Sequence, residues 1–202
     1  MRTWIYRFIT IIVIAACGFL LFNQSQLQST LQGVKMEADM HKMYKEAQNK
    51  ALSQYEEALA TWIYKNSSQT SLAMCQEFVR ETKGINHQLI YLAIASVEST
   101  FNPTAITKKT GSLGVPTGTG AWQINWNAHS KELIKRGIAK DRRDLFNISN
   151  GIQAAIYVYE GICLPQEHGD PVRALDCYLG GSDMYYRKSI MENHMRLSML
   201  KK

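Results

Sequence analysis

The sequence GINHQLIYLAIASVESTFNP, residues 84–103, contains a helix candidate, His87–Ser99, whose interior is almost entirely apolar. Asn86 stands where a helix N-cap is expected, because its side chain can accept a hydrogen bond from a backbone N–H of the first turn. Pro103 predicts the end of the helix, since the residue before a proline is disfavoured in the helical conformation. A helix that is apolar on every side is expected to be buried on every side. We therefore expect His87–Ser99 to be a core helix.

Glu98 is the only carboxylate within this helix candidate, and it lies near the C-terminal end. Burial disfavours a charged carboxylate, and so does the partial negative charge at a helix C-terminus, so both effects predict a raised pKa for Glu98. A carboxyl group that stays protonated near neutral pH can donate a proton to a leaving oxygen. The alternative is a structural glutamate paired with an arginine or lysine, because ion pairs also perturb pKa values.

The rest of the second half of the chain is predicted to be helical, from apolar residues at three- and four-residue steps. The candidates are Ser71–Thr82, Ala121–Asn127, Ser130–Gly137, Ile148–Ile162, Pro171–Tyr178 and Asp183–Leu200. A loop rich in glycine, threonine and serine runs from Thr104 to Gly120. Since no strand-like alternation is convincing, the predicted fold class is mainly α.

The N-terminal segment Phe8–Phe22 carries no charge. Together with the residues from Trp4 onward it is long enough to span a bilayer, which needs about 20 mostly apolar residues. Because Arg2 and Arg7 lie at its start, the positive-inside rule places the N-terminus in the cytoplasm and the rest of the chain outside. We therefore expect an uncleaved, single-pass membrane anchor at residues 1–22.

Two other export signals remain open for this segment. One is a cleaved signal peptide, although no small-residue cleavage site follows the apolar run. The other is a lipoprotein signal, because the sequence from Ile14 to Gly18 is similar to the motif around a lipid-modified cysteine, here Cys17. All three possibilities export the remainder of the chain.

Residues 23–71 are mostly polar and favour helix, which predicts a helical stalk ending in a short linker, Asn66–Ser71. The apolar positions of this segment include few of the large residues that favour a coiled-coil core. The sequence therefore does not decide whether the stalk forms a dimer. The following residues, 72–202, are sufficient for one compact domain with its own core.

The composition excludes several classes of protein. The chain has 202 residues, 46% of them hydrophobic and 20% charged, which is typical of a globular protein. Four cysteines are too few for a disulfide scaffold, and their spacing does not indicate a zinc site. The net charge of +6 favours anionic partners. Nucleic-acid binding is not expected of an exported domain.

The Glu98 stretch, ESTFNP at residues 98–103, resembles the hallmark of the lytic transglycosylases with a goose-lysozyme-like, SLT-type domain. Three further stretches are similar to motifs of that family and follow in the family's order: Gly120–Asn125, Asp144–Ala155 and Ala174–Gly181. The resemblance implies a lysozyme-like helical catalytic domain over most of residues 72–202. It also implies cleavage of the bond between N-acetylmuramic acid and N-acetylglucosamine in peptidoglycan.

A single carboxylate carries the reaction in this family. The resemblance implies that Glu98 protonates the glycosidic oxygen and then takes the proton of the C6 hydroxyl, so that a 1,6-anhydro ring closes. The resemblance also implies substrate-binding roles for four residues, and it implies a reaction without a cofactor or a metal. The four residues are Ser99, Gln123, Asn125 and Tyr178.

Other glycosidases generally need a second carboxylate, roughly 5–9.5 Å from the first. Residues 99–131 contain no Asp or Glu, which fits a mechanism with one acid. Asp141, Asp144 and Asp176 lie later in the chain and leave a hydrolytic muramidase open.

Two departures from the family pattern keep a third function open. Leu179 stands where the family has an asparagine after the tyrosine, and the loop at residues 107–120 is longer than in the family. A structural, glycan-binding component with little catalysis is therefore the alternative to an enzyme.

The motif at residues 120–130 is most similar to the branch of the family attached to secretion, conjugation and pilus machines. That resemblance implies peptidoglycan glycan strands, the bacterial inner membrane and components of such a machine as partners, with the catalytic domain in the periplasm. Outside the cytosol, Cys163 and Cys177 can form a disulfide, and Cys75 would stay free.

Overall fold

The computed structural model describes the backbone of residues 2–67, 70–107 and 118–201, and within these ranges the side chains of Gln28 and of Leu31 onward. Regular structure in the described residues is helical, apart from one isolated antiparallel bridge between Ile106 and Thr119. The predicted mainly-α fold class is therefore confirmed.

The α-helices are named in chain order. They are α1 (Arg2–Asn66), α2 (Leu72–Thr82), α3 (Gln88–Ser99), α4 (Trp126–Lys135), α5 (Ile148–Val158), α6 (Leu164–Gln166), α7 (Pro171–Leu179) and α8 (Met184–Ser198). Three short helical turns accompany them. They are a 3-10 turn at Arg142–Phe146, a π turn at Tyr159–Cys163 and a 3-10 turn at Met199–Lys201.

The chain divides into two compact units, Met1–Leu52 and Ser53–Lys202. The first unit consists of the N-terminal part of α1, and its described side chains from Leu31 onward are exposed. The predicted membrane anchor, residues 1–22, lies outside the described side chains. Among the side chains that are described, no helix has the length and apolar character needed to span a membrane.

The second unit begins at Ser53, earlier than the predicted boundary at residue 72. The last turns of α1 belong to it because Leu59, Ala60 and Ile63 are buried in its core. Thr70, in the predicted linker, is buried as well and donates its hydroxyl hydrogen to Phe101 O at 3.0 Å. The end of the predicted stalk is therefore part of the core of this unit.

Helix α3 lies at the centre of the second unit. Five consecutive residues, Tyr91 to Ala95, are fully buried, and the largest contact surface of α8 is with α3. Nearby, the rings of Phe78 and Trp122 have centroids 5.4 Å apart. The prediction of a helix buried on every side is confirmed.

The predicted start of α3 is wrong by one residue, whereas the predicted last residue, Ser99, is confirmed. His87, in a left-handed conformation with φ 58°, takes the N-cap position instead of Asn86, and no side chain caps the helix. At the other end the helix stops at Thr100 and Phe101, with φ 51° and 60°, before Pro103 is reached. The Phe101 ring is fully buried, so core packing holds a backbone conformation that the local sequence does not specify.

The predicted helix Ala121–Asn127 is also wrong. Residues 120–123 form a turn in which Gly120 and Gln123 have φ of 77° and 49°, and α4 starts at Trp126 with Asn125 as its N-cap. An ideal Cβ on Gly120 would lie 2.3 Å from Leu145 O. This close approach of two backbone segments requires glycine and prevents a helix from continuing through the turn.

We expect a chain of residues 53–202 to unfold cooperatively, and a chain of residues 68–202 to melt at a much lower temperature or not to fold. The shorter chain lacks Leu59 and Ile63, and truncating one such buried side chain costs about 2–5 kcal/mol of a typical stability of about 5–15 kcal/mol. Thermal melting followed by circular dichroism compares the two.

Leu59→Ala and Leu52→Ala in the full chain are the matched controls, since Leu59 is 0% and Leu52 44% exposed. Equal effects of these two substitutions would contradict a core role for the end of α1.

Gly120→Ala is expected to destabilise the second unit by more than about 2 kcal/mol, because a positive φ and a backbone clash act together. Gly137→Ala is the matched control. Gly137 also has a positive φ, 70°, but an ideal Cβ there meets no atom within 4 Å. Urea denaturation measures both variants, and an equal loss in the two would show that the approach of Leu145 O is unimportant.

Candidate active site

Glu98 lies in the last turn of α3 and lines a cavity of about 1090 Å³, called the cleft below. The cleft is lined by the turn before α4 and the start of α4, and by residues of α5, the π turn, α6 and the end of α7. Its described lining residues are Glu98, Thr107, Gly118, Gln123, Ile124, Asn125, Ala128, His129, Val158, Ile162, Cys163, Gln166, Glu167, Asp176, Cys177, Tyr178, Leu179, Gly180, Gly181 and Ser182. A cavity of this size is at the upper end of the range of about 300–1,000 Å³ that is typical of ligand pockets.

The carboxyl group of Glu98 is partly protonated at neutral pH. Burial raises its pKa to about 7, and a hydrogen bond from Tyr186 opposes part of that rise. No ion pair among the described residues involves Glu98. The alternative hypothesis was a structural glutamate paired with an arginine or lysine. The described residues contain no such pair at Glu98.

Tyr186 determines which oxygen of Glu98 carries the proton. Its hydroxyl donates to Glu98 Oε1 at 2.5 Å, and burial together with the charge of Glu98 raises the pKa of Tyr186 far above its usual range. The tyrosine therefore remains a donor, and Oε1 remains an acceptor. When Glu98 is protonated, its proton must be on Oε2, which leaves that oxygen as the acid.

Tyr186 is a residue of the site that the sequence did not predict. Asp183 caps α8 by accepting from the backbone N–H groups of Tyr185 and Tyr186, which turns Tyr186 inward in the first turn of the helix. The buried residues Tyr186, Ile190 and Leu197 of α8 mark its core-facing side. That spacing could have identified Tyr186 as a buried residue, but not as the partner of Glu98.

Ser99 does not line the cleft. Its hydroxyl donates to Ala121 O at 2.8 Å and accepts from Asn102 N at 3.1 Å. These bonds join the end of α3 to the turn before α4. The geometry therefore gives Ser99 a role in positioning these two segments, whereas the sequence predicted contact with the substrate.

Gln123 lines the cleft, but its amide is used mainly within the protein. Its Nε2 donates to Gly120 O at 2.8 Å and Ala105 O at 3.2 Å, and its Oε1 accepts from the Thr107 hydroxyl. Since both amide hydrogens are taken, only a lone pair of Oε1 remains for a ligand. Most of the predicted loop from Thr104 to Gly120 lies outside the described residues.

Asn125 and Tyr178 are the other two predicted substrate-binding residues, and both line the cleft. Asn125 is exposed, and its Oδ1 accepts from Ala128 N as the N-cap of α4. Tyr178 is half-buried, and its hydroxyl donates to Trp122 O at 2.9 Å. Burial and the nearby charge of Glu98 raise the pKa of Tyr178 well above its usual value, so its hydroxyl stays protonated.

The later carboxylates separate into two groups. Asp141 and Asp144 form a capping box on the 3-10 turn at Arg142–Phe146 and do not line the cleft. Asp176 does line the cleft, where Arg187 Nε lies 3.1 Å from its Oδ1. Glu167, which the sequence did not predict as a site residue, lines the cleft as well.

Cys163 and Cys177 form a disulfide, with their Cα atoms 5.4 Å apart, and Cys75 is free and buried. Leu179 lines the cleft and is 39% exposed. The described residues contain no group of three or more His, Cys, Asp or Glu side chains that could hold a metal ion.

Comparison with protein families matches residues 74–185 to the Transglycosylase SLT domain. The chain belongs to this family. No curated protein and no solved structure matches the chain. Transglycosylase SLT domains are lytic transglycosylases, which are glycosidic-bond lyases that act on peptidoglycan, so the protein is an enzyme of this type with peptidoglycan as its substrate.

Tyr186→Phe is expected to shift the pH dependence of kcat/KM towards alkaline pH. Removing the hydroxyl removes a hydrogen bond that stabilises the Glu98 carboxylate, so the pKa of Glu98 rises above about 7. Hydrogen bonds to charged groups contribute about 1.5–3 kcal/mol, which corresponds to a shift of about one to two pH units. The rate of release of soluble fragments from purified cell-wall sacculi, measured from pH 5 to 9, locates the alkaline limb.

Tyr185→Phe is the matched control, since Tyr185 is the preceding residue and is 77% exposed. An alkaline limb that stays in place in Tyr186→Phe, whatever the fall in rate, would contradict a direct effect of Tyr186 on Glu98.

Proposed function

We propose that this transglycosylase SLT protein is a membrane-anchored enzyme that cleaves the bond between N-acetylmuramic acid and N-acetylglucosamine and releases 1,6-anhydro products. The observation that carries the proposal is the carboxyl group of Glu98, which lines a large cleft, has a pKa of about 7 and has a tyrosine as its hydrogen-bond partner. A group with this pKa can act as an acid in one step and as a base in the next.

The proposed reaction uses Glu98 twice. In the first step the proton on Oε2 moves to the glycosidic oxygen, and the C1–O bond of the muramic acid breaks. In the second step the same carboxylate takes the proton of the C6 hydroxyl, whose oxygen bonds to C1. No water is consumed, and Glu98 ends protonated as it began. The hydrogen bond from Tyr186 stabilises the carboxylate that exists between the two steps.

The cleft contains two carboxylates besides Glu98. Asp176 forms an ion pair with Arg187, whose Nε lies 3.1 Å from Oδ1. Glu167 is half-buried, at the end of the cleft formed by α6. A hydrolytic muramidase would need one of these two carboxylates to activate a water.

A second candidate function rests on Leu179. Its apolar side chain is exposed in the cleft, at the position after Tyr178 where a polar side chain could bind a sugar hydroxyl. A cleft with fewer polar contacts would bind glycan less precisely, and the protein would then act mainly as a structural component of an envelope machine.

Glu98→Gln is expected to abolish the release of 1,6-anhydro-muropeptides from purified sacculi, because an amide cannot donate the proton. The full chain in detergent is incubated with sacculi, and mass spectrometry identifies the products. Fragments with reducing ends would show that the enzyme is a hydrolytic muramidase and not a lytic transglycosylase. Equal product from wild type and Glu98→Gln would remove Glu98 from the chemistry.

The same variant is expected to be more stable than wild type above pH 7. The pKa of Glu98 rises from 4.5 to about 7 on folding, so the folded state binds the extra proton and loses stability as pH rises from about 4.5 to 7. Glutamine avoids this loss, with a gain of about 1–3 kcal/mol at pH 8 and none at pH 4. Thermal melts at both pH values measure the gain and show that an inactive variant is still folded.

The membrane location is proposed from the sequence. The uncharged Phe8–Phe22 segment preceded by Arg2 and Arg7 supports an inner-membrane anchor with the catalytic unit in the periplasm. The Cys163–Cys177 disulfide supports an oxidising compartment. The resemblance of residues 120–130 to the branch attached to secretion, conjugation and pilus machines supports local wall opening for such a machine.

The intact mass of the protein extracted from membranes is expected to equal that of the full chain, because an anchor is not cleaved. Loss of residues 1–16 with added acyl mass would identify Cys17 as a lipid-modified N-terminus instead. Loss of a longer segment without acyl mass would identify a signal peptide.

A further inference from the structure

The Cys163–Cys177 disulfide forms part of the wall of the cleft. Cys163 ends the π turn that follows α5, Cys177 lies in α7, and both residues line the cleft. The bond therefore joins two segments of the wall of the cavity that Glu98 also lines.

Helix α7 carries residues that connect the wall to the catalytic centre. Tyr178 follows Cys177 directly, and its hydroxyl donates to Trp122 O at 2.9 Å. Asp176 precedes Cys177, and Arg187 Nε lies 3.1 Å from its Oδ1. Since Arg187 follows Tyr186 in α8, the position of α7 affects both the Tyr178 side of the cleft and the helix that holds Tyr186 against Glu98.

Helix α7 is also held in place by packing. The helix has 9 residues, of which Ala174 and Leu175 are buried, and a helix this short is stable only through its packing. Its main packing partner is the π turn. The hydroxyl of Tyr159, in that turn, donates to Pro171 O at 3.0 Å. The disulfide adds a covalent link to these contacts, which together hold this wall of the cleft in position.

Of the two cysteines, Cys177 is the more exposed. Cys163 is 1% exposed, whereas Cys177 is half-buried, and both line the cleft. A thiolate from solution would thus attack Sγ of Cys177, and Cys163 would be the leaving group.

We propose that the Cys163–Cys177 disulfide is a redox-modification site of the cleft, at which a dithiol reductant releases α7 and inactivates the enzyme. The thiolate of the dithiol bonds to Cys177 Sγ, the S–S bond breaks and Cys163 leaves as a thiolate that takes a proton. The second thiol of the reductant then displaces Cys177. Two electrons and two protons pass to the cysteines, and the reductant becomes a disulfide. The proposal rests on the lytic activity proposed above.

The test uses the full chain in detergent with Cys17→Ala and Cys75→Ala, so that Cys163 and Cys177 are the only cysteines. The oxidised protein, the protein reduced with dithiothreitol and the protein reoxidised after removal of the reductant are each assayed on sacculi. A displacement of about 1 Å in a catalytic site can lower the rate on the order of 100-fold. We therefore expect reduction to lower kcat by about that factor and reoxidation to restore it. Circular dichroism at the assay temperature is recorded for each state.

The outcomes separate this proposal from the proposed function. No activity in the oxidised protein would overturn the lytic function itself. Activity in the oxidised protein that reduction leaves unchanged would overturn only the redox site. Loss of helical signal on reduction would overturn it too, since the bond would then be a requirement for folding. The double variant Cys163→Ala, Cys177→Ala should have the activity of the reduced protein, and dithiothreitol should not change it. If that variant fails to fold, the activities before reduction, after reduction and after reoxidation test the proposal.

Discussion

The structure depends on placing one ionisable carboxyl group at the end of the most buried helix of the protein's second unit. Burial of Glu98 raises its pKa, and the hydrogen bond from Tyr186 opposes the rise without cancelling it. With burial alone, the pKa of Glu98 would be higher, and the carboxylate left after proton transfer would be less stable. With a dominant hydrogen bond, the pKa would be lower, and Glu98 would be ionised at neutral pH. The balance between these two effects keeps both protonation states accessible.

The sequence predicted the part of this arrangement that is local. A helix whose residues are apolar on every side can only be buried, so α3 and the unusual environment of Glu98 follow from residues 87–99 alone. The N-cap of α4 at Asn125 was not predicted, since the apolar residues from Ala121 to Trp126 suggested a helix. The turn there depends on Gly120, whose backbone approaches Leu145 O, a residue in a different segment.

The part that the sequence did not predict consists of contacts between distant residues. Tyr186 is 88 residues from Glu98, and a tyrosine at the start of a helix carries no signal of its partner. The resemblance implied that Gln123 contacts the substrate, but the carbonyl oxygens of Ala105 and Gly120 accept both of its amide hydrogens. For both residues, the sequence gives the hydrogen-bonding groups of the side chain, but it does not show which distant residues are their hydrogen-bond partners.

The structural unit extends past both ends of the matched family domain, residues 74–185. At one end, Leu59 and Ile63 of α1 contribute to the core; at the other, Tyr186 lies one residue beyond the match, and α8 is the main packing partner of α3. The acid therefore obtains its hydrogen-bond partner only when the last long helix has packed onto α3. Because the residue that modifies the pKa of Glu98 belongs to that helix, completion of the fold and completion of the active site are the same event in this chain.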